Sequence, residues 1–339
     1  MRYRVSSVLF AVMVLFASSN SAYADGHYTP GVINLRDLIM PPKGFYYKQY
    51  NPYYFSTEYY NKGGHKLTTL KFNESIRIFS FPIDVSVTAD IDLKVQVGDI
   101  VSPFICSTGK KVLGANYGFY IAPSYGYSKA KLDVKVKKVA IDGITIKGLT
   151  GRHFKYQENR SGMGDLLVIP IWLDWSGDHY DIFTTYGFYA PVGKYDTNHF
   201  TNIGKGFWSH ELLLGGAYYL DKKKATALVL MVNYEFNGRK KGMDLRPGQN
   251  LTFEYGISQY LSERLEVGIS GYSAMQVTND SGSDARNKST KDYVHGVGVQ
   301  LGYWIVKDKF NVSLRYTHEY LAKDRFKGGM GSLSLAYVF

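Results

Sequence analysis

Apolar and polar residues alternate one for one at the C-terminus of this chain, and the alternation recurs back to residue 44. Leu333, Leu335, Tyr337 and Phe339 occupy alternate positions, with Ser332, Ser334, Ala336 and Val338 between them. Upstream, Phe310, Val312, Leu314, Tyr316 and Tyr320 share one face, and Asn311, Ser313, Arg315, Thr317 and Glu319 share the other. A period of two with charge confined to one side describes a strand that separates an apolar from an aqueous medium. The same pattern marks segments 292–306, 264–277, 249–261, 224–237, 206–220, 179–193, 163–176, 111–136, 72–105 and 44–60. With 309–321 and 329–339 that makes about twelve strands. Short connections at 106–110, 176–178, 221–224, 262–263 and 307–308 alternate with long polar ones at 61–71, 137–162, 194–205, 238–248, 278–291 and 322–328. Within 137–162, Val139 to Ile146 around Asp142-Gly143 reads as a small extra hairpin. Short turns on one side and long loops on the other predict an all-β fold, a transmembrane antiparallel up-and-down β-barrel of about twelve strands.

The N-terminus agrees with that destination. Arg2 and Arg4 precede an apolar run from Val8 to Ala17, and Ala22-Tyr23-Ala24 forms a small-residue cleavage signature. That is the plan of a secretory signal peptide, and the run is shorter than the roughly 20 residues of a membrane helix. The expected organisation is a signal peptide at 1–24 cleaved near Ala24, a periplasmic N-terminal segment at 25–43, and an outer-membrane barrel at 44–339. The mean hydropathy of −0.21 does not oppose a barrel, because lipid-facing and lumen-facing residues cancel. Aromatic residues make up 16% of the chain, 30 of them Tyr, as interfacial aromatic girdles require. The single cysteine, Cys106, forms no intramolecular disulfide, so a closed sheet must supply the stability. The net charge of +11 gathers at Lys222-Lys223-Lys224, Arg239-Lys240-Lys241 and Lys323 to Lys327. It points to acidic neighbours such as lipopolysaccharide phosphates, with no nucleic-acid motif beside it.

No enzyme signature emerges. The eight histidines lack metal-site spacing, and no cofactor motif stands in a credible context. Ser209-His210-Glu211 cannot act as a triad alone, since adjacent strand residues point to opposite faces. The expected partners are outer-membrane lipid, the barrel-assembly machinery, which would read the terminal Phe339, and a small-molecule solute. If the apolar set faces lipid, the lumen receives Asp90, Asp92, Lys94, Gln96, Asn116, Asp174, Glu211, Asn233, Glu235, Glu254, Glu266, Gln300, Arg315 and Glu319. A lysine or arginine facing lipid near the midplane would cost ~2–4 kcal/mol, which turns Lys94 and Arg315 inward. Acids outnumber bases in this set. Two readings stay open: a water-filled selective path, or a narrow barrel plugged by salt bridges.

Several stretches carry a family resemblance. They are His27-Tyr28-Thr29-Pro30-Gly31, Pro41-Pro42-Lys43-Gly44-Phe45-Tyr46-Tyr47 with Tyr50-Asn51, Val112-Leu113-Gly114-Ala115-Asn116-Tyr117-Gly118, and Gly164-Asp165-Leu166 leading to Pro170 and Trp175. Gly187 to Asp196 follows, then Asn202-Ile203-Gly204, Tyr219-Leu220-Asp221, Tyr234-Glu235-Phe236-Asn237 and Leu265-Glu266-Val267-Gly268. In order, these resemble the MetA-pathway of phenol degradation family, also called SphA-like outer-membrane proteins. Val192 stands where members often have Thr, and the 137–162 loop is long. The resemblance implies an outer-membrane barrel associated with aromatic-compound catabolism. The expected function is a channel for small aromatic or hydrophobic molecules; the alternative is a structural or surface-interaction barrel with a plugged lumen.

Overall fold

The computed structural model describes residues 26–78, 81–285, 289 and 291–339, so the expected signal peptide lies outside the described residues. The strands are β1 (Gly44–Tyr60), β2 (Thr69–Ile78), β3 (Phe81–Val101), β4 (Phe104–Val112), β5 (Ala115–Ala122), β6 (Ser124–Ile141), β7 (Ile144–Thr145), β8 (His153–Met163), β9 (Leu166–Ser176), β10 (Tyr180–Ala190), β11 (Ser209–Tyr219), β12 (Thr226–Asn237), β13 (Asn250–Tyr260), β14 (Leu265–Gln276), β15 (Tyr293–Val306), β16 (Phe310–Lys323) and β17 (Arg325–Val338). All pairings are antiparallel, and β1 pairs with β17 from Tyr46↔Val338 to Tyr60↔Arg325, which closes the sheet. β3 and β4 run on as one stave along β1, as do β5 with β6 and β8 with β9 along their neighbours. β2 and β7 extend only hairpins beyond the rim, so the described strands form a closed barrel of twelve staves. Closure leaves no free edge, which satisfies every ladder position in lipid.

Alternation decides which face each side chain takes. Leu212, Leu214, Leu230, Ile269, Val299 and Leu314 stand exposed on the outer wall, with Tyr53, Tyr186, Tyr316 and Tyr320 among them. Their sequence neighbours Leu213, Val229, Met231, Ser270, Gln300 and Arg315 are buried inside. Turns at the short end use left-handed backbone, as at Leu113-Gly114 (φ 50° and 78°) and Asp308 (φ 58°). The long loops lie at the other end, which is called the loop end here.

The loops expected at 137–162 and 322–328 are largely taken up by β6, β8, β16 and β17, and three further expectations change. The turn placed at 106–110 is a bulge inside β4, where the ladder slips between Ser107 and Lys111 and Gly109 takes φ 69°. The polar run Ser107-Thr108-Gly109-Lys110-Lys111 imitates a turn, and the true one follows at Leu113-Gly114. Segment 72–105 is not one strand: β2 and β3 form a hairpin past the loop-end rim before β3 descends into the wall. Third, residues 26–43 do not hang in the periplasm; they thread the lumen. The small hairpin does form around Asp142-Gly143, with Ala140↔Thr145 and Ile141↔Ile144 paired.

The threaded segment explains where the core sits. Leu35, Leu38 and Met40 pack against inward Ile105, Ile169, Trp172, Phe183, Leu213, Val229 and Met231, filling the turn-end half of the lumen. Burying each such side chain contributes roughly 1.5–3 kcal/mol. Wall glycines make the room. A Cβ on Gly256 would come within 2.6 Å of a Leu35 methyl, and one on Gly268 within 2.9 Å.

Candidate functional site in the barrel lumen

The plug segment is a run of turns and bends without a strand partner, so most of its backbone N–H groups need acceptors. The wall supplies them as side chains. Glu235 accepts from the N–H groups of His27 (2.7 Å) and Tyr28 (3.1 Å). Glu254 accepts from the Gly31 N–H (3.1 Å) and the Tyr28 hydroxyl (2.7 Å). The Leu35 N–H reaches Gln300 Oε1 at 3.0 Å, and the Met40 N–H reaches Asp174 at 3.4 Å. Part of the excess of inward acids is thereby accounted for: Asp174, Glu235 and Glu254 accept from donors of the plug.

Cations of both partners complete the seam. Arg315 lies 3.2 Å from Glu254, each side chain 1% exposed, and also donates to the Ile33 carbonyl. Near the turn end, Arg36 bonds Ser258 and the carbonyls of Lys224 and Ala225. It pairs with Glu266 at 3.2 Å and lies over the rings of Tyr219 and Tyr260. Lys48 and Tyr50 of β1 hold Asp37 at 2.8 and 2.9 Å. Toward the loop end, His27 stacks on Tyr189 and bonds Ser209 (2.8 Å) and Asp165 (2.9 Å). Asp165 also accepts from the N–H groups of Gly193 (2.8 Å) and Lys205 (2.6 Å), tying the plug to the 191–208 loop.

Above the plug lies a cavity of about 380 Å³ in the loop-end half of the lumen. Val95, Val97, Tyr120, Tyr189, Phe326 and Met330 line its sides, Tyr28, Pro30 and Ile33 its floor, and Phe200 and Ile203 its cover. The cover is anchored by Glu158, which accepts from the Thr201 N–H at 2.8 Å and bonds the His199 ring.

The inward residues expected from sequence divide into three groups. Asp174, Glu235, Glu254, Glu266, Gln300 and Arg315 face inward and hold the plug, so they do not border a water-filled path. Glu211, Asn233, Glu319 and Asn116 also face inward. Asn233 and Glu211 approach at 3.5 Å, and Glu319 accepts from Tyr54 (2.8 Å) and Tyr272 (3.0 Å) at the cavity wall. Asn116 lies opposite Asp174 in the β5–β9 register. Asp90, Asp92 and Lys94 are the correction, and Gln96 shares it. They lie on the outside of β3, where the side chains of Lys94 and Asp92 are 49% and 57% exposed and 3.4 Å apart. Ile91, Leu93 and Val95 take the inside, packed with Leu132, Val134 and Phe326. Among the described side chains of β3 the exposed large apolar one is Ile100, below this stretch, so the stretch has risen past the lipid and the penalty on outward charge no longer applies. Ser209 and Glu211 point inward and the exposed His210 bonds Tyr186 outside, so the three are split across the wall.

The plug residues were missed by sequence reasoning, although Ile33, Leu35, Leu38, Ile39 and Met40 gave a signal: so much apolar surface is out of place on a segment in water. The apolar interior was missed as well. Ala227 to Val232 and Leu166 to Leu173 are apolar on both faces, the mark of a strand whose inner side is also dry.

A family model described as "Putative MetA-pathway of phenol degradation" matches residues 81–335. The chain belongs to this family. Among solved structures, the MetA-pathway chain is similar to the COG4313 outer membrane channel from Pseudomonas putida F1, with a TM-score of 0.62 and 13% identity over 91% of this chain and 100% of that one. That similarity establishes the barrel fold. The Pseudomonas putida toluene transporter TodX is more distant, with a TM-score of 0.42 and 8% identity over 95% of this chain and 97% of that one. No curated protein sequence matches the chain.

Proposed function

We propose that this MetA-pathway protein is an outer-membrane channel for uptake of small, mainly apolar molecules, closed at rest by its own N-terminal segment. The observation that carries the reading is the cavity at the loop end, walled mainly by apolar and aromatic side chains and floored by the plug. A pocket of this kind suits one ring-sized apolar molecule. A floor built from a single turn-rich segment outside the sheet can move while the sheet stays closed. The loop end then faces the exterior and the turns the periplasm. The similar structure from Pseudomonas putida F1 is an outer membrane channel, which agrees with the reading.

The reading needs neither catalysis nor a cofactor. Export would remove residues 1–24 and leave the new N-terminus near the cavity. Lipopolysaccharide would meet the exposed Lys131 and Lys135 on β6, above the exposed Tyr125 and Tyr127. Lys222 to Lys224 lie in a turn at the periplasmic end and do not serve that contact.

Intact cells whose outer membrane carries the protein should take up a labelled monoaromatic hydrocarbon faster than cells without it. Equal uptake would leave the plugged structural barrel as the better reading.

A further inference from the structure

One group in the cavity has no structural employment. Asp99 of β3 faces inward and makes no hydrogen bond or ion pair among the described residues, and it lines the cavity. Its surroundings explain why. Val97 and Val101 flank it on its own strand and face the same cavity. Across β6 its register partner is Gly126, which has no side chain. On β1 the pairs Tyr53↔Gly98 and Tyr50↔Val101 put Pro52 beside it, a residue with no N–H to give. Ile203 of the covering loop comes down over the same spot. The charge that acts on it is that of Lys205, with which it forms no ion pair. Gly126 is also what admits the carboxylate, since a Cβ there would sit 2.3 Å from Asp99 Oδ1.

Most other acids around the lumen are engaged; Glu211, buried deeper, meets only the Asn233 amide at 3.5 Å among the described residues. Asp165 and Glu235 hold His27, Asp37 holds Lys48, Glu319 accepts from two tyrosines, and Asp292 meets Arg325 at 3.1 Å. A carboxylate set among Val97, Val101, Pro52 and Ile203 and facing a mainly apolar cavity is costly unless a donor reaches it. Ser124, Ser128 and Lys205 line the same cavity but none bonds the Asp99 carboxylate, which leaves that place to a donor on the ligand.

We infer that the cavity is specific for small apolar molecules that carry one hydrogen-bond donor, a protonated amine or a hydroxyl, which Asp99 accepts, and that it rejects molecules carrying a carboxylate. This rests on the proposed uptake reading and names its substrate class. Recognition is then divided between parts. The valines, Tyr120, Phe326 and Met330 take the apolar body, and Asp99 takes the polar end. A carboxylate ligand would face like charge without screening by bulk water.

Four molecules of similar shape test this: benzylamine, benzyl alcohol, toluene and benzoate. Binding to the purified protein is measured by calorimetry, and uptake by cells is measured separately. The wild-type protein should bind benzylamine roughly ten- to a hundredfold more tightly than toluene, with benzyl alcohol between them and benzoate weakest. Asp99→Asn should lose the preference for the amine and keep that for the alcohol. Asp99→Leu should flatten both while leaving toluene unweakened. Gly126→Ala keeps the carboxylate but pushes it aside, and should lower amine binding even if Asp99→Leu folds poorly. If wild type and variants rank the four alike, Asp99 is a hydrated wall charge and the inference falls, whatever the uptake. If the ranking holds in binding but cells gain no uptake, the binding site stands and the channel reading falls.

Discussion

The pair of Glu254 and Arg315 shows what a single residue does in this barrel. Both side chains are 1% exposed, and each also bonds the plug, Glu254 at Tyr28 and Gly31, Arg315 at Ile33. Removing one partner of a buried pair costs ~3–5 kcal/mol because the other charge is left behind. Here there is a cheaper escape than unfolding the sheet: the plug moves away and water enters. Arg315→Glu should therefore leave a heat-modifiable barrel and raise its conductance in planar bilayers. A folded variant as tight as the parent would mean that the plug is held by other contacts. That Glu235, Glu254 and Arg315 face inward was legible, since the only other face is lipid. Their partner was not, because the acceptors and the N–H groups they serve lie more than 200 positions apart, as His27 and Glu235 do. Lys94 was misread for the opposite reason, since a rule that holds within lipid was applied above it.

Among the elements, β17 carries the clearest division between assembly and stability. Phe339 is 78% exposed; its ring lies 5.1 Å from that of Tyr337, and its N–H donates to the Phe45 carbonyl. A side chain with so little to pack against contributes little to the finished barrel, and substitutions of this kind usually stay within about 0.5 kcal/mol. Phe339→Ala should lower the yield of folded barrel in cells while barrel refolded in detergent unfolds at an unchanged denaturant midpoint. Equal yield in cells would remove the assembly role; a lowered midpoint would show that the ring packs after all. Strand elements were readable where one face meets lipid, as in β15, β16 and β17. Reading weakened in β3 and β4, because a bulge at Gly109 looks like a turn to any rule based on composition. It weakened also where strands leave the membrane, as β6 and β8 do, since water on the outer face removes the alternation's meaning.

At the scale of the molecule, the question sequence left open was whether the lumen is open or filled. Twelve staves fall between the roughly eight that side chains fill and the sixteen that leave a wide channel, so strand count could not decide. What fills its turn-end half is the chain's own segment 26–43, whose apolar members replace a missing layer of wall side chains at Gly256 and Gly268. The wall is therefore built to be complete only with the plug in place. The ladder, by contrast, is complete without it, because β1 begins at Gly44 and pairs with β17 regardless of what precedes it. Deleting residues 26–40 behind an intact signal peptide should consequently give a barrel that still assembles and still shifts on heating. It should conduct ions far better than the full chain, which should show little conductance at rest. The Arg315→Glu variant should fall between the two, since Arg36, Leu35 and Leu38 would still hold the turn-end half of the plug. If the deletion variant is as tight as the full chain, the wall has collapsed on itself and the plug is packing rather than a gate. If it fails to assemble at all, the segment is part of the core on which the barrel closes.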